Sequence, residues 1–290
     1  MAATTQIALP ARTTSPIALW HLLSLDAPTV AALWTWFIAR ASHTALPPAA
    51  IAAMALAVWI LYAADRLLDT RRLNPRNPHA LSDELEARHL FHHAHRRVFL
   101  AGIACAAVGL GTLLPQLDTR AIRLYIVEGA LLVAWFLILH ATRSAHRLPK
   151  EIAVGLFFSA AVFIPTVARV PTLRPALLPV AILFAALCSL NCLFIYAWEH
   201  EGARPGARPP HATTRLALAH LPALAILIAI TSAAAGLTPH SPKPILAACA
   251  LSAAALLVLD RNRHHLGRTN LRAAADIALL TPLLVLPFLR

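Results

Sequence analysis

The sequence predicts an all-α, polytopic membrane protein, and two observations carry that prediction. Hydrophobic residues make up 59% of the 290 residues and charged residues only 13%, whereas soluble domains carry about 25% charged residues. Apolar runs also recur along the chain at about the 20-residue length that a helix needs to cross a bilayer. Intrinsic disorder is excluded because it requires low hydrophobicity and high charge.

Nine apolar runs are predicted as membrane-spanning helices, and proline chemistry supports two of their starts. Pro47-Pro48 opens the second run, and Pro149-Lys150-Glu151 places a proline and an acid in the first turn of the fifth. The runs lie near 18–40, 49–66, 98–115, 121–141, 151–168, 175–198, 214–236, 244–259 and 271–289.

The basic residues predict the orientation of the chain in the membrane. Most of the 25 lysines and arginines lie in the N-terminal segment and in the loops that follow the second, fourth, sixth and eighth apolar runs. The positive-inside rule therefore predicts a cytoplasmic N-terminus and an outer C-terminus in the cell (inner) membrane. The same placement explains the net charge of +12, so we expect no nucleic-acid partner.

The four cysteines are Cys105, Cys188, Cys192 and Cys249, each within an apolar run and without C-x-x-C spacing. We therefore expect neither disulfides nor a structural zinc site.

The second predicted helix ends in two acids that are candidate metal ligands. Asp65 and Asp69 are four residues apart, so both carboxylates project from one helical face. Two such ligands suit Mg²⁺, which binds one or two carboxylates together with substrate phosphates. The alternative is a helix end that reaches water, with Asp65 paired to a nearby arginine.

A related string ends the sixth helix and indicates an internal repeat. The order hydrophobic, Tyr, Ala, any residue, acid occurs at both ends, with Tyr62 before Asp65 and Tyr196 before Glu199 and Glu201. A duplicated four-helix unit would place both ends at the cytoplasmic face; chance similarity of short strings is the alternative. We expect one membrane domain over 1–290, with halves near 16–142 and 150–260 and a final helix at 270–289.

These acids give the chain a resemblance to the UbiA superfamily of intramembrane prenyltransferases. Asp65 and Asp69 match the last two acids of that family's first motif, N-D-x-x-D-x-x-x-D. The string from Glu199 to Gly202 is similar to the D-x-E-G core of some second motifs, and Ser24-Leu25-Asp26-Ala27-Pro28 is similar to R-x-D-x-P in the first helix.

The sequence departs from the family pattern at four motif positions, one of which is Glu199, where the second motif has Asp. Leu61 and Tyr62 stand where the first motif has Asn and Asp, and Ala203 replaces the final acid of the second motif. The resemblance implies a nine-helix fold in which Asp65, Asp69, Glu199 and Glu201 bind Mg²⁺ and an isoprenyl diphosphate as the catalytic centre.

Basic and polar residues near the same membrane face are candidates for substrate binding. Arg88, His92 and Arg96 are spaced to share one helical face that would grip a diphosphate. The alternatives are a basic face attracted to anionic lipids and, from His89-x-x-His92-His93, one histidine box of the membrane di-iron enzymes. The further substrate-binding candidates are Tyr62, Lys150, Asn191 and Tyr196.

The function expected from this resemblance is Mg²⁺-dependent transfer of an isoprenyl group from its diphosphate to a lipophilic acceptor within the membrane. The sequence leaves two other functions open. One is a non-catalytic lipid- or diphosphate-binding protein on the same fold. The other is a secondary transporter, which a repeated multi-helix sequence also permits.

Overall fold

The computed structural model describes residues 15–70, 91–141, 149–201, 210–239 and 241–289, with the side chains of 69, 70, 136 and 139–141 left out. Within those ranges the chain is helical and has no strand. Its α-helices include α1 Pro16–Leu22, α2 Asp26–Ala41, α3 Pro48–Thr70, α4 Arg96–Leu113, α5 Thr119–Ala141, α6 Lys150–Arg169, α7 Arg174–Glu199, α8 Ala212–Ala219, α9 Leu221–Gly236, α10 Lys243–Arg261, α11 Arg268–Ile277 and α12 Pro282–Val285.

The all-α prediction is confirmed for the described residues, whereas the count of nine spans and the UbiA-like arrangement stay predictions. Among the described residues, five helices are long and apolar enough to cross a membrane, or up to eight if each bent helix pair is one span. The bent pairs are α1 with α2, α8 with α9, and α11 with the segment that begins at α12. The pseudo-repeat halves remain a prediction as well.

Local sequence explains where several of these helices begin. The Ser15 hydroxyl accepts a hydrogen bond from the Ala18 amide at 3.1 Å, and Pro16 occupies the first helical position of α1. Helix α6 begins at Lys150 after Pro149, as the sequence predicts. Between α1 and α2 the chain turns through Ser24, whose φ of 59° lies in the left-handed region. That turn bends α2 by 89° from α1.

The core lies where α2, α6, α7 and α10 meet. Trp34 packs on Phe184 with ring centroids 4.3 Å apart, and both side chains are fully buried. The indole of Trp34 also donates a 2.7 Å hydrogen bond to the carbonyl oxygen of Leu279, after α11. Helix α11 contacts α1, α2, α7 and α10, so the last part of the chain closes against the first.

Close packing of α6 on α7 depends on Gly155. A Cβ atom added there would lie 2.1 Å from the Ser189 hydroxyl oxygen and 2.5 Å from the Ala185 carbonyl oxygen. Membrane helices associate through such close contacts because lipid offers little hydrophobic drive. Gly155→Ala should therefore lower the free energy of unfolding by about 1–3 kcal/mol, since the Ala185 backbone must move away.

Thermal unfolding in detergent micelles measures this effect, and Gly129→Ala is the matched control. A Cβ atom at Gly129 meets nothing within 4 Å. Equal melting temperatures for the two variants would contradict the close approach of α6 and α7.

Candidate functional site

One end of the helix bundle brings together several buried and half-buried ionisable residues of the described part of the chain. It is formed by the α1–α2 turn, the ends of α3 and α7, and the start of α11. We call this set the polar cluster; its members are His21, Asp26, Tyr62, Arg66, Asn191, Glu199, Arg272 and Asp276.

Asp26 is the centre of the first half of the polar cluster. It is fully buried, and one carboxylate oxygen lies 2.5 Å from the His21 Nδ1 atom and 3.4 Å from a terminal nitrogen of Arg66. Its other oxygen accepts the Ala27 amide at 3.0 Å, at the first turn of α2, where the helix dipole favours a negative charge. A buried carboxylate needs such partners, because an unpaired buried charge is costly.

Arg66 ties the end of α3 to the α1–α2 turn. Its guanidinium donates to the His21 carbonyl oxygen at 2.7 Å and to the Tyr62 hydroxyl at 2.8 Å, and it lies 4.2 Å from the centre of the Tyr62 ring. Only 3% of Arg66 is exposed. Tyr62 and Arg66 are four residues apart, so they share one face of α3.

Asp276 and Arg272 bring α7 into the same cluster. The Asn191 side-chain amide of α7 donates to Asp276 at 3.1 Å, and Arg272 forms an ion pair with Glu199. Arg272 is also close enough to Asp26 and Asp276 to interact with both electrostatically. The ends of α3 and α7, which the sequence relates by their similar strings, therefore reach one cluster through α2 and α11.

The predicted acids occupy different positions around this cluster. Asp65 is exposed at the end of α3, and the side chain of Asp69 lies outside the described residues. Glu199 is half-buried against Arg272. Glu201 is exposed and accepts two hydrogen bonds from Arg263, at 3.0 and 3.3 Å.

The Glu201–Arg263 pair lies just beyond the end of α7, and both side chains are partly exposed. The hydrogen bonds from Arg263 hold the pKa of Glu201 below its usual value. Beside it, the Trp198 indole donates to Asp260 at 2.8 Å, so the end of α7 is fastened to the end of α10.

The predicted substrate-binding residues also lie in different parts of the structure. Arg88 lies outside the described residues. His92 is fully buried: its Nε2 atom forms a 3.1 Å hydrogen bond with the Ser24 hydroxyl, and its ring centroid lies 4.3 Å from that of Phe99. Arg96 is exposed. The Lys150 ammonium lies 5.9 Å from the ring centre of Tyr196, so these two residues meet near Glu199, while Asn191 and Tyr62 belong to the polar cluster itself.

The site includes residues that the sequence did not predict as ligands: His21, Arg66, Arg272 and Asp276, together with Asp26, which entered only through its similarity to the R-x-D-x-P string. Asp26 and Asp276 could have been found because acids within membrane spans are rare and commonly functional. Arg66 and Arg272 stand at span ends, where arginines are expected as topology anchors, so nothing in the pattern distinguishes them.

An apolar groove lies between α2 and α3 beside the polar cluster. Its volume is about 640 Å³. It is lined by Leu25, Pro28, Thr29, Ala32, Leu33 and Trp36 from α2 and by Ile51, Ala55, Leu56 and Trp59 from α3.

The α3 wall of the groove shares a helical face with Tyr62 and Arg66, although neither residue lines the groove itself. Ile51, Ala55, Trp59, Tyr62 and Arg66 are three or four residues apart, so they line one helical face. The Trp59 indole donates to the Leu23 carbonyl oxygen at 3.1 Å, which places this end of the groove at the α1–α2 turn. An amphiphile with an apolar chain and an anionic head matches an apolar groove that is followed by a basic residue.

No protein-family model, curated protein or solved structure matches this chain.

Proposed function

We propose that this protein is a UbiA-like intramembrane prenyltransferase, which transfers an isoprenyl group from its diphosphate to a lipophilic acceptor. The observation that carries the proposal is the apolar groove whose α3 face continues into the buried Arg66 of the polar cluster. An isoprenyl diphosphate has the same division into a long apolar chain and a compact anionic head.

Unsatisfied donors in the polar cluster support an anionic head group. Among the described residues, the Nε atoms of Arg66 and Arg272 are buried without a hydrogen-bond partner. A buried donor without a partner costs free energy, which an incoming acceptor would recover. Diphosphate oxygens are strong acceptors for guanidinium groups.

The acids near the cluster fit Mg²⁺ by their chemistry. Asp65 and Glu199 offer the carboxylate oxygens that Mg²⁺ prefers, and the family resemblance adds Asp69, whose side chain lies outside the described residues. Glu201 would join them only after it leaves Arg263, because that arginine holds both of its oxygens. Bound Mg²⁺ would supply positive charge to the diphosphate.

The protein's own residues would then serve the transfer in three ways. Arg66 and Arg272 would stabilise the diphosphate as the allylic C–O bond breaks and the leaving group takes the bonding electrons. The groove would keep water from the carbocation. The acceptor would form the new bond to carbon and lose a proton.

Ligand binding to purified protein in detergent micelles tests this proposal. We expect radiolabelled farnesyl or geranylgeranyl diphosphate to bind with Mg²⁺ and to bind at least tenfold more weakly with EDTA. Asp65→Asn combined with Glu199→Gln should cause a similar loss. Asp118→Asn is the control, because it changes an acid that lies immediately before the start of α5. Unchanged affinity in the double variant would overturn the assignment of these two acids.

A non-catalytic lipid- or diphosphate-binding protein is a second candidate, and one observation favours it. Glu201 is fully engaged by Arg263, so one of the four predicted metal ligands is already occupied. This candidate expects the same binding without release of diphosphate when acceptors are added. Measurement of diphosphate release over a panel of aromatic and lipid acceptors separates the two.

A secondary transporter is a third candidate, favoured by the broken helices at the polar cluster. The α1–α2 break and the break after α11 lie near Asp26 and Asp276, and broken helices line the binding sites of many transporters. Proteoliposomes loaded with labelled substrate would show flux for a transporter and none for the enzyme.

A further inference from the structure

His21, Asp26 and Asp276 form a compact group of possible metal ligands that is separate from the acids proposed for Mg²⁺. One ligand atom from each lies within 4.8 Å of the others. At metal–ligand distances of about 2.0–2.2 Å, the ligands of one ion lie no more than about 4.4 Å apart, so the three atoms would need to approach by only about a few tenths of an ångström to share one ion.

The site is built into the protein interior. His21 is 1% exposed, Asp26 is fully buried and Asp276 is 8% exposed. They come from α1, α2 and α11, and α11 packs on both other helices. Arg66 and Arg272 already offset part of the repulsion between the two buried carboxylates, and a bound cation would reduce it further.

Asn191 supplies an independent indication of a ligand. It is 5% exposed, and its Nδ2 atom contacts Asp276 while its Oδ1 atom has no partner among the described residues. An amide oxygen beside a carboxylate is an additional oxygen donor for a cation. Arg66 pairs with Asp26 and Arg272 lies near both carboxylates, so the empty site is less negative than its two acids alone would make it.

We propose that His21, Asp26 and Asp276, with Asn191 beside them, bind one divalent transition-metal ion. A nitrogen and two or three oxygens suit Zn²⁺, Mn²⁺ or Co²⁺, whereas Mg²⁺ prefers oxygen ligands alone. The bound ion would join the α1–α2 turn to α11 and place positive charge near the Arg66 end of the groove. This inference does not rest on prenyl transfer.

Cobalt binding to the full-length protein tests the site. Chelator-treated protein in detergent micelles is titrated with Co²⁺ alone, and visible d–d absorption reports the ligand environment. We expect one ion per chain, displaced by Zn²⁺, and a rise in melting temperature as Co²⁺ is added. His21→Gln and Asp276→Asn should each weaken binding at least tenfold.

Two variants keep the test decisive if His21→Gln fails to fold. Asn191→Asp should tighten Co²⁺ binding if an ion lies there, because it adds a negative ligand. Asp276→Asn should fold as well as the wild type without metal, because it removes the repulsion. If Asn191→Asp weakens binding or leaves it unchanged, the site is wrong.

Control variants separate this site from surface histidines and from the proposed enzyme site. His93→Gln removes an exposed imidazole and should leave the cobalt spectrum unchanged. Asp65→Asn with Glu199→Gln should lose prenyl diphosphate affinity and keep Co²⁺ binding. Wild-type Co²⁺ affinity in Asp276→Asn would show that the two buried acids share a proton instead, and the proposal would fall.

Discussion

Replacing Arg66 with methionine should lower the free energy of unfolding by about 3–5 kcal/mol, the effect expected when one partner of a buried ion pair is removed. The reason is that Asp26 is fully buried and Arg66 is its basic neighbour in the end of α3. The substitution also removes the hydrogen bonds to the His21 carbonyl oxygen and the Tyr62 hydroxyl. Chemical or thermal unfolding in detergent micelles measures the loss.

A second substitution distinguishes the charge pair from simple loss of packing. Asp26→Asn with Arg66→Met removes both charges, so we expect it to recover most of the stability that Arg66→Met loses. Arg123→Met, an exposed arginine in α5, should change stability by no more than about 0.5 kcal/mol. If the double variant is no more stable than Arg66→Met, the stabilising role of the ion pair is refuted.

Filling the groove should weaken binding of the prenyl chain and leave binding of the diphosphate head group unchanged. Ala55 lies on the α3 wall of the groove, between Ile51 and Trp59. In Ala55→Trp, an indole would occupy the path from Arg66 towards Trp36. We therefore expect the affinity for geranylgeranyl diphosphate to fall at least tenfold and the affinity for inorganic diphosphate to stay unchanged, as measured by equilibrium binding.

The matched control places the same indole on a lipid-facing surface. Ala107 is exposed on α4 next to Val108, which is 70% exposed, so Ala107→Trp should bind both ligands as the wild type does. Equal loss of both ligands in Ala55→Trp would indicate a general disturbance of the fold. Unchanged affinity for both ligands in Ala55→Trp would show that the apolar chain binds outside this groove.

The fold was largely predictable because the membrane imposes one strong rule. Apolar runs of span length must be helical, since backbone groups in lipid have no water to bond. The described helices accordingly follow the predicted runs, and Pro149 and Pro48 mark helix starts. The breaks at Ser24 and after α11 were not predicted, because hydropathy does not report a bend within an apolar run.

The polar cluster was less predictable because its partners are distant in sequence. Asp26 and Arg66 meet only when α2 packs against α3, and Asn191 and Asp276 meet only when α11 closes on α7. Sequence spacing identified Tyr62, Asn191 and Glu199, which lie in the cluster. It placed His92 on a shared basic face with Arg96, but tertiary contacts with Ser24 and Phe99 turn His92 inward.

Photolabelling with an isoprenyl diphosphate that carries a diazirine on its terminal isoprene unit tests the central claim most directly. The claim is that the head group binds at the polar cluster and that the chain follows the groove between α2 and α3. The segment from Leu25 to Trp36 is about 16 Å long at 1.5 Å per residue, enough for several isoprene units. Mass spectrometry should find the label on 32–36 or 51–56, with competition by unlabelled geranylgeranyl diphosphate. Label confined to the lipid-facing surfaces of α4 and α5, or label that the competitor does not reduce, would contradict the account.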